Sequence, residues 1–170
     1  GTIVLMGGYD GAIRNDTWRS TDNGATWHRG QDAPWSGRYG HSSVVMPDGG
    51  IVLMGGMDQS NKNDTWRSID NGATWTQMNA SPGWRFCTSS VTMPDGSIVL
   101  TTPAEGTWRS IDNGATWTQI NANAGWNDRM AHRSVVTPDG SIVLTGGGTP
   151  GSDDVWRFQP AGSSAQNPMH

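Results

Sequence analysis

The sequence predicts an all-β chain, a β-propeller of four-stranded antiparallel blades with about three and a half blades in its 170 residues. Three observations predict it. All ten tryptophans fall in one repeating frame: Trp18, Trp27, Trp35; Trp66, Trp75, Trp84; Trp108, Trp117, Trp126; then Trp156. The first members lie 48, 42 and 48 positions apart, a period of propeller blades rather than of helical solenoids. Each period also holds short β-branched runs punctuated by turn residues, and helix formers are scarce, with Glu105 the single glutamate.

The elements follow in order within each period. The first strand reads "HSSVVM" at His41–Met46, "TSSVTM" at Thr88–Met93 and "HRSVVT" at His132–Thr137. A "PDG" turn follows, where Asp-Gly reaches positive backbone angles cheaply. The second strand is "IVLMGG" at Ile3–Gly8 and Ile51–Gly56, and "IVLTGG" at Ile142–Gly147. Its unbroken apolar run suits a strand buried on both faces. The third strand is "DTWRS", and the fourth begins at "ATW" after "DNG".

The chain starts abruptly on a second strand, as a fragment or processed form would, and closes after the third strand Asp154–Phe158. The units are approximately 1–37, 38–84, 85–128 and 129–158, with 159–170 a linker or the start of a following domain. Unpaired edge strands invite pairing. Closure therefore calls for a second chain, for further sequence, or for a small four-blade ring. Two chains of three and a half blades would complete a seven-blade homodimeric ring.

Composition narrows the function. A net charge of −4 offers no basic stripe for nucleic acid, and no window reaches the apolar length of a membrane-spanning helix. The single cysteine, Cys87, excludes an internal disulfide framework and a multi-cysteine zinc site.

Loop lengths separate the two ends of the strands. The third-strand Trp to fourth-strand Trp spacing is always 9, and the turn Pro to second-strand Leu spacing is always 6. By contrast, the second-to-third connection runs 13, 13, 8 and 12 from Leu to Trp, and the fourth-to-first connection runs 20, 19 and 21 from Trp to Pro. In a meander the two constant turns share one end and the two variable ones the other, and repeat folds vary their loops on the binding face. The octapeptide "SxDNGATW" thus belongs to the structural end. Its residues are Ser20, Asp22, Gly24, Thr26 and Trp27; Ser68, Asp70, Gly72, Thr74 and Trp75; and Ser110, Asp112, Gly114, Thr116 and Trp117. The aspartates are expected to accept N–H bonds in their own turn, the glycines to supply positive φ, and the tryptophans to cover the hairpin. Single carboxylates of this kind make poor metal sites.

The "SxDxGxTW" signature resembles the Asp-box (BNR) repeat of sialidase-type propellers, in which that turn lies away from the active site. The combination "RYGHSSVVMPDG…IVLMGG…NDTW" resembles the Kelch repeat of galactose-oxidase-like propellers, and the two signatures interlock over nearly all of residues 1–158. The tail "FQPAGSSAQNPMH" resembles the start of a PKD-type domain. Such combinations resemble microbial, often archaeal, cell-surface proteins, implying an extracellular location. The third unit departs from the pattern, with "TTPAEG" where the others carry Gly-Gly.

The variable end collects the candidate ligand-binding residues Arg38, Arg85, Arg129, Trp35, Trp84, Trp126, Tyr39, His41 and His132. The three arginines occupy equivalent positions before a first strand, where guanidinium forks would bind a carboxylate or sulfate. The alternative is that each stacks on its neighbouring Trp and closes a blade-to-blade contact. A sialidase-like reading needs a Tyr–Glu pair, for which only Tyr9, Tyr39 and Glu105 are present. The copper site implied by a galactose-oxidase resemblance would draw on His41, His132, Tyr9, Tyr39 and Cys87. The repeated serines are strand positions, not a nucleophile on a strained turn. The expectation is a non-catalytic extracellular recognition or adhesion module with no cofactor or metal, binding a glycan or a surface protein through the variable end. The alternatives are a sialidase-like or oxidase-like enzyme and an architectural surface-layer spacer.

Overall fold

Each period of the sequence folds into one antiparallel sheet in the computed structural model, which describes residues 1–86, 89–126, 129–148, 153–159 and, as backbone, 167–169. Blade I contains β1 (Ile3–Tyr9), β2 (Ile13–Ser20) and β3 (His28–Arg29). Blade II contains β4 (Ser42–Val45), β5 (Ile51–Met54), β6 (Thr65–Ser68) and β7 (Thr76–Asn79). Blade III contains β8 (Ser89–Thr92), β9 (Ile98–Thr101), β10 (Thr107–Ser110) and β11 (Thr118–Asn121). Blade IV contains β12 (Arg133–Val136), β13 (Ile142–Thr145), β14 (Val155–Phe158) and β15 (Asn167–Met169). Strand order follows chain order in all four sheets, none of which closes on itself, and no helix occurs among the described residues. The chain is all-β and built as propeller blades.

Two details differ from the expectation. The fourth strands begin after the tryptophan, at Thr76 and Thr118, because Trp75 and Trp117 are held in the preceding turn. In the segment expected to be a linker or the start of a following domain, Asn167–Met169 pairs antiparallel with β14 and gives blade IV its fourth strand. An unpaired β14 edge has free N–H and C=O groups to satisfy, which accounts for the pairing.

The register repeats from blade to blade. Leu53 stands between Ser43 and Trp66, Leu100 between Ser90 and Trp108, and Leu144 between Ser134 and Trp156. All three leucines are fully buried. The core lies between blades rather than within one: Met6 and Trp35 pack with Ile51 and Leu53, Val44 and Val52 with Ile98 and Leu100, and Val91 and Val99 with Ile142. Innermost, β8 lies between β4 and β12. There Ser42 Oγ meets Ser90 Oγ at 2.7 Å, Thr92 Oγ1 donates to the Val45 carbonyl (2.9 Å), and the Ser134 N–H donates to Ser89 Oγ (2.9 Å). The serines of "HSSV" thus tie neighbouring blades together. Among the described residues, blade I has no strand inside β1. Leu5 there is 48% exposed, while its repeat equivalents are fully buried.

Candidate functional site: the variable-loop end

At the constant end the carboxylates of the repeated turns are committed to the fold. In blade II the Ser68 hydroxyl donates to Asp70 Oδ1 (2.8 Å) and accepts from the Gly72 N–H (2.8 Å). Asp70 also takes the Thr74 N–H (2.9 Å) and the Thr74 hydroxyl (2.6 Å), and the Trp75 indole donates to the Gly72 carbonyl (3.2 Å). The same five bonds recur around Asp22 and Asp112. The Thr74 hydroxyl and N–H, with Ser68, hold the Asp70 carboxyl down at about 2. Asn23, Asn71 and Asn113 adopt positive φ (58°, 55° and 58°) alongside the following glycines, so "DNG" carries two left-handed residues. Across the "PDG" turns, Asp48, Asp95 and Asp139 accept from Arg67, Arg109 and Arg157 of the third strands.

The variable end treats its three repeat-equivalent arginines unequally. Arg38 is 1% exposed and forks onto Asp64, with Nη1 2.5 Å from Oδ1 and Nη2 3.0 Å from Oδ2, while Nη1 also donates to the Gly55 carbonyl (2.8 Å). Asp64 Oδ2 takes the Trp66 indole N–H as well (2.8 Å). Arg129, also buried, repeats this in blade IV with Asp154 (2.5 and 2.8 Å), Gly146 O and the Trp156 indole. These hydrogen bonds, the Arg129 fork foremost, hold the Asp154 carboxyl at about 2. Arg38 also lies over the Trp35 ring at 5.8 Å, so stacking accompanies the ion pair.

Arg85 is different. Its side chain is 88% exposed, with Nε 3.5 Å from Glu105 Oε1 and its backbone N–H donating to Glu105 Oε2 (2.9 Å). No described residue accepts from its Nη groups. The position of Asp64 and Asp154 is filled in blade III by Gly106, and among the described residues the buried Trp108 indole N–H has no partner.

Trp35, Trp84 and Trp126, expected to face a ligand, are buried instead. Each packs on the aromatics of the following blade: Trp35 on Trp66 and Trp75, Trp84 on Trp117, and Trp126 on Trp156 and Phe158. The loop that leaves one blade must cross a gap to the next, and an indole fills it. His132 is buried as well. Its Nδ1 lies 3.3 Å from the Arg129 carbonyl and its Nε2 2.7 Å from Thr101 Oγ1, whose hydroxyl also donates to the Ser89 carbonyl (3.1 Å). Burial holds its pKa down at about 4, helped by the nearby Arg129 charge. His41 is pushed to about 4 by burial and by Arg38, and its Nδ1 is buried without a partner.

Exposed aromatic surface comes from Tyr9, which stands beside Tyr39, one of the expected ligand-binding residues. Tyr9 is 67% exposed, and its ring lies 6.0 Å from that of the half-buried Tyr39. Tyr39 is anchored by reciprocal backbone bonds with Met57 (3.0 and 2.9 Å). Beside this pair opens a cleft of about 400 Å³ lined by Ile13, Gly37, Asp58, Gln59, Ser60 and Lys62. Ile13 is the register partner of Tyr9, and Asp58 follows Met57. Asp58 and Lys62 pair at 2.9 Å. A second cleft of about 290 Å³ opens beside Arg85. Positions in the variable connections pointed to this end, but no spacing signal told the exposed Tyr9 from the buried tryptophans.

No protein-family model matches the chain, and no curated protein matches it. Among solved structures it is similar to a fungal alcohol oxidase of the AA5 family in complex with copper, with a TM-score of 0.72 and 17% identity. The alignment covers 99% of this chain and 39% of that one. The likeness is one of fold, galactose-oxidase-like. The residues described do not fit a copper centre of imidazole and phenolate ligands. His132 has both ring nitrogens engaged within the fold, His41 stands in a different blade, and no group of three His, Cys, Asp or Glu converges among the described residues. Cys87, the remaining copper candidate, lies outside the described residues.

Proposed function

We propose that this chain is a non-catalytic recognition module working outside the cell, with the variable-loop end as its binding surface and a glycan as the favoured ligand. The observation that carries this reading is the exposed Tyr9, paired with the half-buried Tyr39, beside a 400 Å³ cleft. Sugar rings present apolar C–H faces that stack on aromatic rings, and hydroxyls that bond to carboxylate, amide and ammonium groups. Asp58, Gln59, Ser60 and Lys62 offer these groups in a single loop. The opposite end, where the carboxylates of the constant turns are bonded within the fold, has little to offer a partner.

The test is a glycan array probed with the purified chain, followed by calorimetry on any hit. Tyr9→Ala is expected to weaken binding at least tenfold without altering the unfolding midpoint, because Tyr9 is largely exposed. Binding that survives Tyr9→Ala together with Asp58→Ala would place the ligand elsewhere. Oxidation of a primary alcohol by the copper-loaded chain would replace this reading with the enzymatic one.

A further inference from the structure

We propose that the cleft in blade III is a second subsite, one that binds a monocarboxylate carrying an apolar group, with Arg85 as its anchor. The proposal rests on the variable-loop end being the recognition surface, and adds a ligand class to it.

The repeat supplies its own control. In blades II and IV the equivalent arginine is consumed by the fold, buried in a forked ion pair with an aspartate two residues before the third-strand tryptophan. Blade III cannot form that lock. Gly106 occupies the aspartate's position with φ at +72°, and a Cβ there would lie 2.0 Å from the Asn121 carbonyl oxygen. No side chain fits, so the backbone itself excludes the acceptor. The missing acceptor also accounts for the orphaned Trp108 indole N–H.

Shortening of the same loop opens the space. From Leu to Trp, blade III has 8 positions where blade II has 13 and blade IV has 12. The gap between the longer neighbouring loops is the 290 Å³ cleft, bounded by Asn61 of blade II and Met130 of blade IV, and floored by Phe86, Thr102, Pro103 and Ala104. Its volume is near the lower end of ligand pockets, suited to a small group. The lining is mainly apolar, and the Arg85 guanidinium, whose Nη groups no described residue engages, is at its edge.

The charge pattern selects the anion. Glu105 binds the Arg85 backbone N–H and lies 3.5 Å from Nε, leaving the Nη edge as the open donor fork. A planar carboxylate matches two parallel N–H donors. A dianion such as a phosphate monoester would meet Glu105 at close range and be disfavoured.

The experiment is an NMR titration of the labelled chain with benzoate, with benzamide as the neutral isostere and methyl phosphate as the dianion. Benzoate is expected to shift Phe86, Thr102 and Met130, benzamide and methyl phosphate to bind at least tenfold more weakly. Arg85→Gln is expected to weaken benzoate at least tenfold with an unchanged spectrum elsewhere. Arg85→Lys should recover part of the affinity but not the discrimination against methyl phosphate. Benzoate binding that is unchanged by Arg85→Gln, or matched by benzamide, overturns the proposal. Tyr9→Ala run in parallel separates the two readings: it should leave the benzoate titration intact while removing glycan binding. Failure of the glycan array alone therefore leaves this subsite standing.

Discussion

Asp64→Asn isolates the energetic consequence of a buried lock. The Arg38 guanidinium is 1% exposed and bonded to both oxygens of Asp64, at 2.5 and 3.0 Å. Asparagine keeps the shape and an acceptor for the Trp66 indole, but removes the compensating charge. Leaving a buried cation unpaired costs about 3–5 kcal/mol. The parallel change in blade III, Glu105→Gln, strips the partner from an arginine that is almost wholly exposed, and should cost no more than about 1 kcal/mol. Urea unfolding followed by tryptophan fluorescence measures both. The double variant Arg38→Met/Asp64→Asn removes the orphan charge as well, and should recover at least about 2 kcal/mol of the loss. Burial alone would raise the Asp64 carboxyl, but hydrogen bonds from Arg38 and Trp66 outweigh it and hold it below the ordinary range. Its contribution is therefore present above the unfolded value, about 3.9, and is lost as pH falls through the lower folded value. Asp64→Asn should accordingly flatten the acid limb below about pH 4. The reasoning fails if Asp64→Asn costs no more than Glu105→Gln, or if the double variant is less stable than the single one.

Three further outcomes are expected. Ala131 holds a left-handed φ of 61° at the position where blade II has Gly40, so Ala131→Gly should raise stability by about 1 kcal/mol in the same unfolding assay. His132, with a folded pKa of about 4, stays neutral while the unfolded chain takes up a proton below about pH 6.5. Stability should fall by up to about 3 kcal/mol from this residue between pH 6.5 and 4, and His132→Gln should remove that part of the slope. Leu53→Ala should cost about 2–5 kcal/mol, whereas the half-exposed Leu5→Ala should cost about 1 kcal/mol or less; equal costs would mean that β1 is covered in solution.

Much of the fold was legible because its signals are local. A Trp–Trp spacing of 9 marks the hairpin that Ser68, Asp70 and Thr74 clasp, and the "PDG" turns mark the other constant connection. The tryptophans were harder to place. Their position in a variable connection says which end of the strands they occupy, but not how deep they lie, and the gap between blades takes the largest side chain available. The arginine locks join residues 26 and 25 positions apart, beyond any local pattern. A signal was nonetheless present: an aspartate two residues before the tryptophan in blades I, II and IV, and Gly106 in blade III. Tyr9 and Tyr39 carried no such signal. Tyr9 ends β1 of blade I and Tyr39 lies before β4 of blade II, and the Gly8 N–H donating to the Arg38 carbonyl (2.8 Å) joins the two segments that carry them.

The locks at Arg38–Asp64 and Arg129–Asp154 each begin and end within one blade. Closing a loop of some 25 residues costs little more entropy than closing a much shorter one, so each unit can be fastened as soon as its third strand leaves the ribosome. Genetic duplication or deletion of a unit then carries a complete fastening with it and strands no half of a pair in a neighbour. Such a chain can change its number of units, or surrender one fastening to a new purpose, while the others go on holding.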